Sequence, residues 1–413
     1  MGVRRNAPGK AYAPADNGAP PCRSPRLKFF SYFVASFSWN YALGMTWLVV
    51  PLFAHGKGFS AVQLGVLFSI PSIAQLIINV VGGAYVDRVG GKKIMFASSV
   101  LMALGAATMP FMDSFAAVFG AQLVLVLSRA TFWPANWAIA ADLPGERGVQ
   151  AGRLNALTNL GQILGNGTCG FILAAGGYTV TFMVMAALGL AAAILGIWTP
   201  STRGKAAAGQ GLFSSYGVLL RMPVMFYGTL CAYLSALPFS LIMSFYPLLL
   251  QEFGYGEESS GVLLAVRAIG GIAAGLVVAK FVSTGPKSPW AIIAGAMVAV
   301  MVGLQPLVTH WAGIGVFMFT IGVAASLLTV YFQVTMGEVV PPGMRGSAMA
   351  LGGLGWGFSH LSTPLIMGFL AERHGISGGF YALGIGSLLV SIAIGSLRGW
   401  AFAGTSLTKK THP

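Results

Sequence analysis

Residues 82–93 read Gly-Gly-Ala-Tyr-Val-Asp-Arg-Val-Gly-Gly-Lys-Lys, a short charged segment between two long apolar runs. Glycines let neighbouring helices approach closely, and the carboxylate of Asp87 can pair with the positive N-terminal end of a facing helix. The basic residues of such a segment hold it on the cytoplasmic side of a membrane. The segment therefore predicts a tight cytoplasmic turn between two membrane-spanning helices.

The composition of the whole chain is typical of a membrane protein. Of its 413 residues, 56% are hydrophobic and 8% are charged. A soluble domain carries about 25% charged side chains, so this chain cannot cover itself with a water-facing surface.

The apolar residues fall into runs that predict twelve membrane-spanning helices. A helix needs about 20 residues to cross a hydrocarbon core about 30 Å thick. The runs lie at about residues 29–53, 61–85, 94–112, 115–141, 151–175, 178–198, 224–250, 260–282, 289–309, 312–336, 347–370 and 378–402.

The placement of basic residues predicts that both termini are cytoplasmic. With the N-terminus inside, twenty Lys and Arg residues fall on the internal side and two, Lys57 and Arg373, on the external side. This asymmetry explains the net charge of +14 as a topology signal, so we expect no nucleic-acid partner. We expect an integral protein of a bacterial inner membrane, with membrane lipid around it.

One long polar break, Ser201–Met222, divides the chain into two halves of similar length. The predicted organisation is a disordered cytoplasmic tail at 1–28, a six-helix bundle at 29–198, a linker at 199–223, a second bundle at 224–402 and a tail at 403–413. Pro-Gly-Glu-Arg-Gly at 144–148 returns as Pro-Gly-Met-Arg-Gly at 342–346. The predicted fold is an all-α membrane protein with twelve transmembrane helices in two pseudo-symmetric six-helix bundles.

The segment at 82–93 resembles the loop signature of the major facilitator superfamily, a family of two-half membrane transporters. The matching residues are Gly83, Asp87, Arg88, Gly90 and Lys92. The resemblance implies that they form a conformational latch between the halves, whereas the alternative is an ordinary charged loop.

The match to that signature is incomplete in two places. Gly91 stands four residues after Asp87, where a basic residue is expected, and Lys92 follows one place later. The second half holds a degenerate copy of the signature at 275–280, Gly-Leu-Val-Val-Ala-Lys, with Ala279 at the position of the acid.

The fifth predicted span carries a second resemblance, at Gly161–Gly170. It is similar to the glycine-rich fifth-helix motif of the drug–proton antiporters of that superfamily, with Asn166 in place of the proline. The resemblance implies efflux by antiport with protons. The alternative is packing of small residues between helices, which glycines four residues apart serve in any membrane protein.

Two polar stripes predict the walls of a substrate cavity. Side chains that hydrogen-bond inside a bilayer face protein or water, and residues three, four or seven apart share one face of a helix. Span five offers Asn155, Asn159, Gln162 and Asn166, and span four offers Gln122, Arg129, Trp133 and Asn136. Asn40 in span one, Arg267 in span eight and His360 in span eleven complete the candidate set.

Arg129 and Arg267 are the costliest members of this set. An arginine at the centre of a span costs about 2.5–3.5 kcal/mol on insertion scales. None of the ten acidic residues lies at mid-depth in a predicted span. Two buried cations without a buried acid point to an anionic or zwitterionic substrate, although each arginine could also bond to helix carbonyls. His360 could exchange a proton near neutral pH, or it could simply be packed and hydrogen-bonded.

These features together predict a monomeric secondary transporter that moves a small-molecule substrate by alternating access. The leading hypothesis is a proton-coupled exporter of an anionic, zwitterionic or amphipathic small molecule. The alternatives are an importer or exchanger of a small organic anion, and a receptor or assembly partner that does not transport. The predicted spans hold no nucleophile–base pair and no metal-binding cluster, so we expect neither an enzyme nor a cofactor.

Overall fold

α-Helices make up nearly all of the chain that the computed structural model describes, which is residues 25–141, 143, 147–200, 216–277, 282, 288–341 and 344–403. The predicted cytoplasmic tails and most of the predicted linker lie outside these ranges. The first helix begins at Pro25, inside the region 1–28 that we predict to be a tail.

The described part of the first half contains six α-helices, and local chemistry sets the ends of some of them. They are α1 (Pro25–Gly56), α2 (Ala61–Ser69), α3 (Pro71–Val89), α4 (Gly91–Thr108), α5 (Phe115–Ala141) and α6 (Arg147–Gly196). The side chain of Ser60 caps α2, and Gln63 bonds back to the Ser60 backbone. Pro71, which has no N–H to give, separates α2 from α3.

Eight α-helices are described in the second half, some of them short pieces of one crossing. They are α7 (Tyr216–Leu219), α8 (Pro223–Ile242), α9 (Tyr246–Glu252), α10 (Glu257–Val277), α11 (Trp290–Gly303), α12 (Trp311–Val339), α13 (Arg345–Gly352) and α14 (Leu354–Ala401). The short α7 lies within the predicted linker.

The two longest helices, α6 and α14, are each broken at one glycine. Gly177 has φ 71° and Gly375 has φ 74°, in the left-handed region that residues with a Cβ rarely adopt. Each of these helices is therefore two helices joined at a turn of one residue.

The described helices are those of a membrane protein. Nine are long and apolar enough to cross a bilayer, and Trp290–Gly303 is a shorter apolar helix. The predicted class, an all-helical membrane protein, is therefore confirmed at this level.

Several irregular features recur at the spacing of the repeated Pro-Gly-x-Arg-Gly sequence. Gly254 follows Gly58 by 196 residues and Gly375 follows Gly177 by 198, and all four have positive φ. The 3-10 turn at Gln305–Leu307 likewise follows the one at Met109–Phe111 by 196 residues. The local backbone thus carries the same internal repeat as the sequence.

The loops on one side of the bundle meet each other, and we call this side the closed end. Lys57 bonds to Asp113 at 2.5 Å, Tyr255 donates to the Thr309 carbonyl at 2.7 Å, and Gly56 lies against Tyr178. The first and third pairs join the loop after α1 to the loop before α5 and to the turn inside α6, and the second pair joins the loop after α9 to the loop before α12. The Val62 N–H also donates to Glu372 Oε2 at 3.3 Å, and a Cβ on Gly170 would strike Glu257, so loops of the two halves meet on this side.

Most of the contact between the two halves is made by two helix pairs, α6 with α10 and α2 with α14. At the closed end these pairs cross at backbone distance. A Cβ added to Gly65 would lie 2.6 Å from the Pro364 carbonyl oxygen, and one added to Gly261 would lie 2.6 Å from the Asn166 carbonyl oxygen. Small residues are thus required where the halves meet.

Candidate functional site

Arg129 lies in the middle of α5 and reaches across to the second half of the molecule. Its Nε and one terminal nitrogen donate to Gln75 Oε1 at 3.1 and 2.8 Å, and the other terminal nitrogen approaches Met243 Sδ at 3.1 Å. No carboxylate contacts it among the described residues. Its charge is therefore met by one amide oxygen and a sulfur atom, which is a weak acceptor.

Arg267, on α10, is also buried without an acidic partner in the described part of the chain. Its guanidinium carbon lies 5.1 Å from the centre of the Phe239 ring, a cation–π contact. Its Nε is buried and has no hydrogen-bond partner in the structure. A buried donor without a partner costs free energy, so this group has capacity for a ligand.

The end of α8 brings the two arginines and the histidine into one neighbourhood. Arg267 contacts Phe239 and Arg129 contacts Met243, four residues further along the chain, or about 6 Å of helical rise. His360 bonds through Nδ1 to Ser240 Oγ at 2.7 Å, and its ring centre lies 5.7 Å from that of Phe239.

A small cavity lies beside Arg129, on the side of the closed end. Its empty space of about 410 Å³ includes open solvent at the mouth. The lining residues come from α1, α2, α4 and α5 and from the end of α8. They are Leu43, Thr46, Trp47, Val50, Phe68, Met102, Gln122, Leu125, Val126, Arg129 and Met243.

Trp47 connects this cavity to the neighbourhood of α8. Its ring packs edge-on against Phe239, with centres 4.8 Å apart. Its Nε1 is buried without a hydrogen-bond partner in the structure. Trp47 therefore lines the cavity with its ring, while its N–H stays buried and unpaired.

The polar stripe of span five, now the first part of α6, divides between two environments. Asn155 is exposed and Asn159 is half-buried. Gln162 Nε2 donates to Asn40 Oδ1 at 2.8 Å, so two candidates from different helices meet. Asn166 is fully buried where α6 crosses α10, and its Oδ1 has no hydrogen-bond partner in the structure.

Asn136 lies inside the first half. It is fully buried, its Oδ1 accepts from Ser36 Oγ at 2.9 Å, and its carbonyl accepts from Tyr32 at 2.8 Å. The Asn40 amide donates to the Ser36 carbonyl at 2.8 Å, so Ser36 links Asn40 with Asn136. These bonds tie α1 to α5.

The other two members of the span-four stripe are Trp133, which takes part in aromatic packing, and Gln122, which forms part of the cavity wall. Trp133 packs edge-on against Trp39, with ring centres 6.3 Å apart, and Trp39 stacks on Phe132. Gln122 lines the end of the cavity that is opposite to Arg129.

The glycines of span five pack against α1. A Cβ on Gly161 would lie 2.8 Å from the Phe37 carbonyl oxygen, and one on Gly165 would strike Tyr41 and Gly44. Gly170 instead faces Glu257 of α10. These contacts are the close helix packing that four-residue glycine spacing allows.

The turn predicted at 82–93 is present, since α3 ends at Val89 and α4 begins at Gly91, with φ 92° at Gly90. The backbone of Gly83, Asp87 and Arg88 lies in α3, but the structure does not describe their side chains. Lys92 is half-buried at the start of α4. The latch therefore stays a prediction.

Sequence reasoning missed the partners that define this site. Gln75, Trp47, Phe239 and Met243 were not among the candidates. Gln75 had a usable signal, because it is a polar residue at mid-depth of the second predicted span. The other three are apolar or aromatic residues in apolar helices, which no pattern distinguishes from ordinary core residues. In the described residues, no cluster of His, Cys, Asp and Glu could hold a metal ion.

Comparison with known proteins agrees with this architecture. The Major Facilitator Superfamily model matches residues 29–321 and 234–403. The chain belongs to this family. It is accordingly a membrane transporter and not an enzyme, and the resemblance in its loop signature is confirmed.

The related sequences include transporters of two kinds. The chain is 25% identical over 391 residues to the hexuronate transporter of Bacillus subtilis (strain 168), covering 84% of this chain and 88% of that protein. It is 26% identical over 157 residues to the quinolone resistance protein NorA of Staphylococcus aureus, covering 38% and 40%. The chain thus spans less than half of NorA.

Solved structures share the fold at low sequence identity. A bacterial homolog of the human lysosomal transporter Spinster, in an inward-facing and unoccupied conformation, superposes with a TM-score of 0.78 at 15% identity, covering 92% of this chain and 98% of that one. The nucleoside transporter NupG gives 0.75 at 14% identity, covering 90% and 98%.

Proposed function

We propose that this transporter carries a small organic anion by alternating access between its two halves. The observation that carries the proposal is Arg129, a half-buried guanidinium in the middle of α5 that bonds to an amide oxygen and a thioether. A buried charge persists where something compensates it, and an anionic substrate supplies that compensation. Arg267 of α10, with its unpaired Nε, packs on Phe239, one turn of α8 before Met243, and offers a second donor.

The architecture of the proposed machine is twelve spans in two six-helix bundles, at 29–198 and 224–402, joined by a cytoplasmic linker at 199–223. The repeat of positive-φ glycines and 3-10 turns at 196 to 198 residues supports it. Counting α6 and α14 as two crossings each, and α11 as one, brings the nine long apolar helices to twelve.

The proposed orientation has both termini in the cytoplasm of a bacterial cell, in its inner membrane, with a monomer as the working unit. The twenty-to-two distribution of basic residues supports this orientation. The closed end then faces outward, and the state described here opens inward.

Proton coupling is proposed through His360, which bonds to Ser240 near the end of α8. Imidazole can change charge in the physiological range, so protonation of His360 can alternate with substrate binding, as export by antiport requires. The proposed direction is export, which the fifth-span glycine motif and the partial similarity to NorA support.

Uptake or exchange of a small organic anion is the second candidate. The similarity to a hexuronate transporter supports it, because that match extends over 84% of this chain, whereas the match to NorA covers 38%. Both candidates use the same anion site and differ in direction.

The test is transport of radiolabelled carboxylates in right-side-out and inside-out membrane vesicles with an imposed proton gradient. Accumulation in inside-out vesicles driven by an acidic interior, and lost in Arg129→Ala, is the expected result for proton-coupled export. Accumulation in right-side-out vesicles alone would establish the second candidate. Carboxylate transport that survives Arg129→Ala would remove the anion site from the account.

A further inference from the structure

We propose that the cavity beside Arg129 selects an organic anion whose body is apolar, in preference to a hydroxylated sugar acid. This inference rests on the proposed function, since it concerns the same anion site. It goes further by assigning the chemistry of the uncharged part of the substrate.

The cavity extends along α5 from Arg129 at one end to Gln122 at the other. These residues are seven positions apart, or about 10 Å of helical rise. On the facing helix α1, the wall runs over the same length from Leu43 to Val50. A molecule held here therefore has one end at the guanidinium and its body between α1 and α5.

The Arg129 end has more donors than acceptors. Trp47 Nε1 is buried with no hydrogen-bond partner in the structure, and the tryptophan is 3% exposed. One terminal nitrogen of Arg129 faces the weakly accepting Met243 sulfur. A carboxylate at this end would offer the Arg129 nitrogen a charged oxygen in place of the sulfur, so this end fits an anionic head.

The wall between the two ends offers almost nothing to a hydroxyl group. It consists of apolar side chains: Leu43, Val50, Phe68, Met102, Leu125 and Val126. The hydroxyl of Thr46, the polar side chain on this wall, already donates to the Leu43 carbonyl at 2.6 Å. For the several hydroxyls of a sugar acid, the lining offers the Gln122 amide at the far end and the Thr46 oxygen as an acceptor, so most of these hydroxyls would be buried without partners, which disfavours the sugar acid. An alicyclic or aromatic carboxylate would gain from the same burial.

Isothermal titration calorimetry on the purified full-length protein tests the preference for an apolar anion by comparing three ring compounds. Cyclohexanecarboxylate and glucuronate each carry one carboxylate on a six-membered ring, and they differ in hydroxylation. Cyclohexanecarboxamide keeps the apolar ring and removes the charge. We expect the wild-type protein to bind cyclohexanecarboxylate at least tenfold more tightly than either of the others.

A matched pair of variants tests whether the apolar wall of the cavity causes the preference for cyclohexanecarboxylate over glucuronate. Val50→Thr places a hydroxyl in the cavity at nearly constant shape, and it should narrow the preference for cyclohexanecarboxylate over glucuronate about threefold or more. Val49→Thr makes the same change at an equally buried residue of α1 outside the lining, and it should leave the preference unchanged.

Glucuronate binding as tightly as cyclohexanecarboxylate would overturn this inference, and so would the absence of binding by both. The ratio of the two dissociation constants, for glucuronate and for cyclohexanecarboxylate, is measured on the wild-type protein. It therefore tests the inference even if Val50→Thr fails to fold. Neither result removes the proposed function, which falls separately if carboxylate transport in vesicles is insensitive to Arg129→Ala.

Discussion

At the scale of single residues, the account depends on what the Arg129 guanidinium does with its spare hydrogen-bonding capacity. Lysine would keep the charge but lose the planar fork that matches a carboxylate. We therefore expect Arg129→Lys to weaken substrate binding at least tenfold and Arg129→Ala to abolish transport while the protein still folds. Binding and transport assays on purified and reconstituted protein measure both effects.

Arg221→Lys is the matched control, because Arg221 is an exposed arginine before α8. It should bind and transport like the wild type. A structural role for Arg129 would instead show as a lower unfolding temperature in Arg129→Lys with unchanged affinity.

The candidate residues show what a helical pattern can and cannot predict. Arg129, Arg267 and His360 were predicted from their cost in a membrane, and the structure gathers them around the end of α8. Asn166 shares a face with Gln162, yet it lies buried against α10. The period of a helix determines which residues share a face, but it carries no information about which helix that face meets.

At the scale of elements, we expect the seam between α2 and α14 to control opening of the closed end. A Cβ on Gly368 would lie 2.6 Å from the Ala61 carbonyl oxygen. Gly368→Val should therefore act as a wedge that destabilises the closed state by about 1–3 kcal/mol, enough to shift a two-state balance about 5- to 150-fold. Spin labels at the exposed His55 and Arg373 would show a longer distance across that end.

Gly386→Val is the control for the wedge, since Gly386 lies on the same helix with open space around its Cα. It should leave the distance distribution of the labels unchanged. The seam has no gating role if Gly368→Val gives the same distances as the control.

The loop between α3 and α4 provides the second prediction at this scale. If Asp87 pairs with a facing helix N-terminus when the cytoplasmic side closes, Asp87→Asn should slow transport several-fold at normal protein levels. Asp113→Asn removes an exposed loop acid that pairs with Lys57, and a pair of that kind contributes about 0–1 kcal/mol. Vesicle assays in which both variants transport normally would leave the Asp87 segment with a topological role alone.

The length of an apolar run was predictable from the sequence, but the position at which a helix bends or ends was less so. The run at 61–85 was predicted as one span, and Pro71 divides it into α2 and α3. The run at 289–309 becomes the 14-residue α11 followed by a 3-10 turn. Hydropathy measures the length of an apolar run, whereas bends depend on where backbone hydrogen bonds are interrupted.

At the scale of the whole molecule, the prediction concerns orientation. Because basic residues concentrate on one side, reporter fusions after Arg203 and after Lys410 should both report the cytoplasm. A reporter that is active only outside the cytoplasm should give no signal at either site. A periplasmic signal at one of them would require an odd number of spans in the preceding part of the chain.

The central claim is that Arg129 and Arg267 together hold an anionic substrate, and thermal unfolding of the purified protein tests it most directly. The measurement compares a panel of carboxylates with their uncharged amides on the wild type, Arg129→Ala and Arg267→Ala. A ligand at 100 times its Kd stabilises the folded state by about 2.7 kcal/mol, which is visible as a higher Tm. We expect carboxylates to raise the Tm of the wild type, their amides to have no effect, and each arginine variant to lose the response. Stabilisation by amides or cations instead, or by carboxylates in both variants, would contradict the claim.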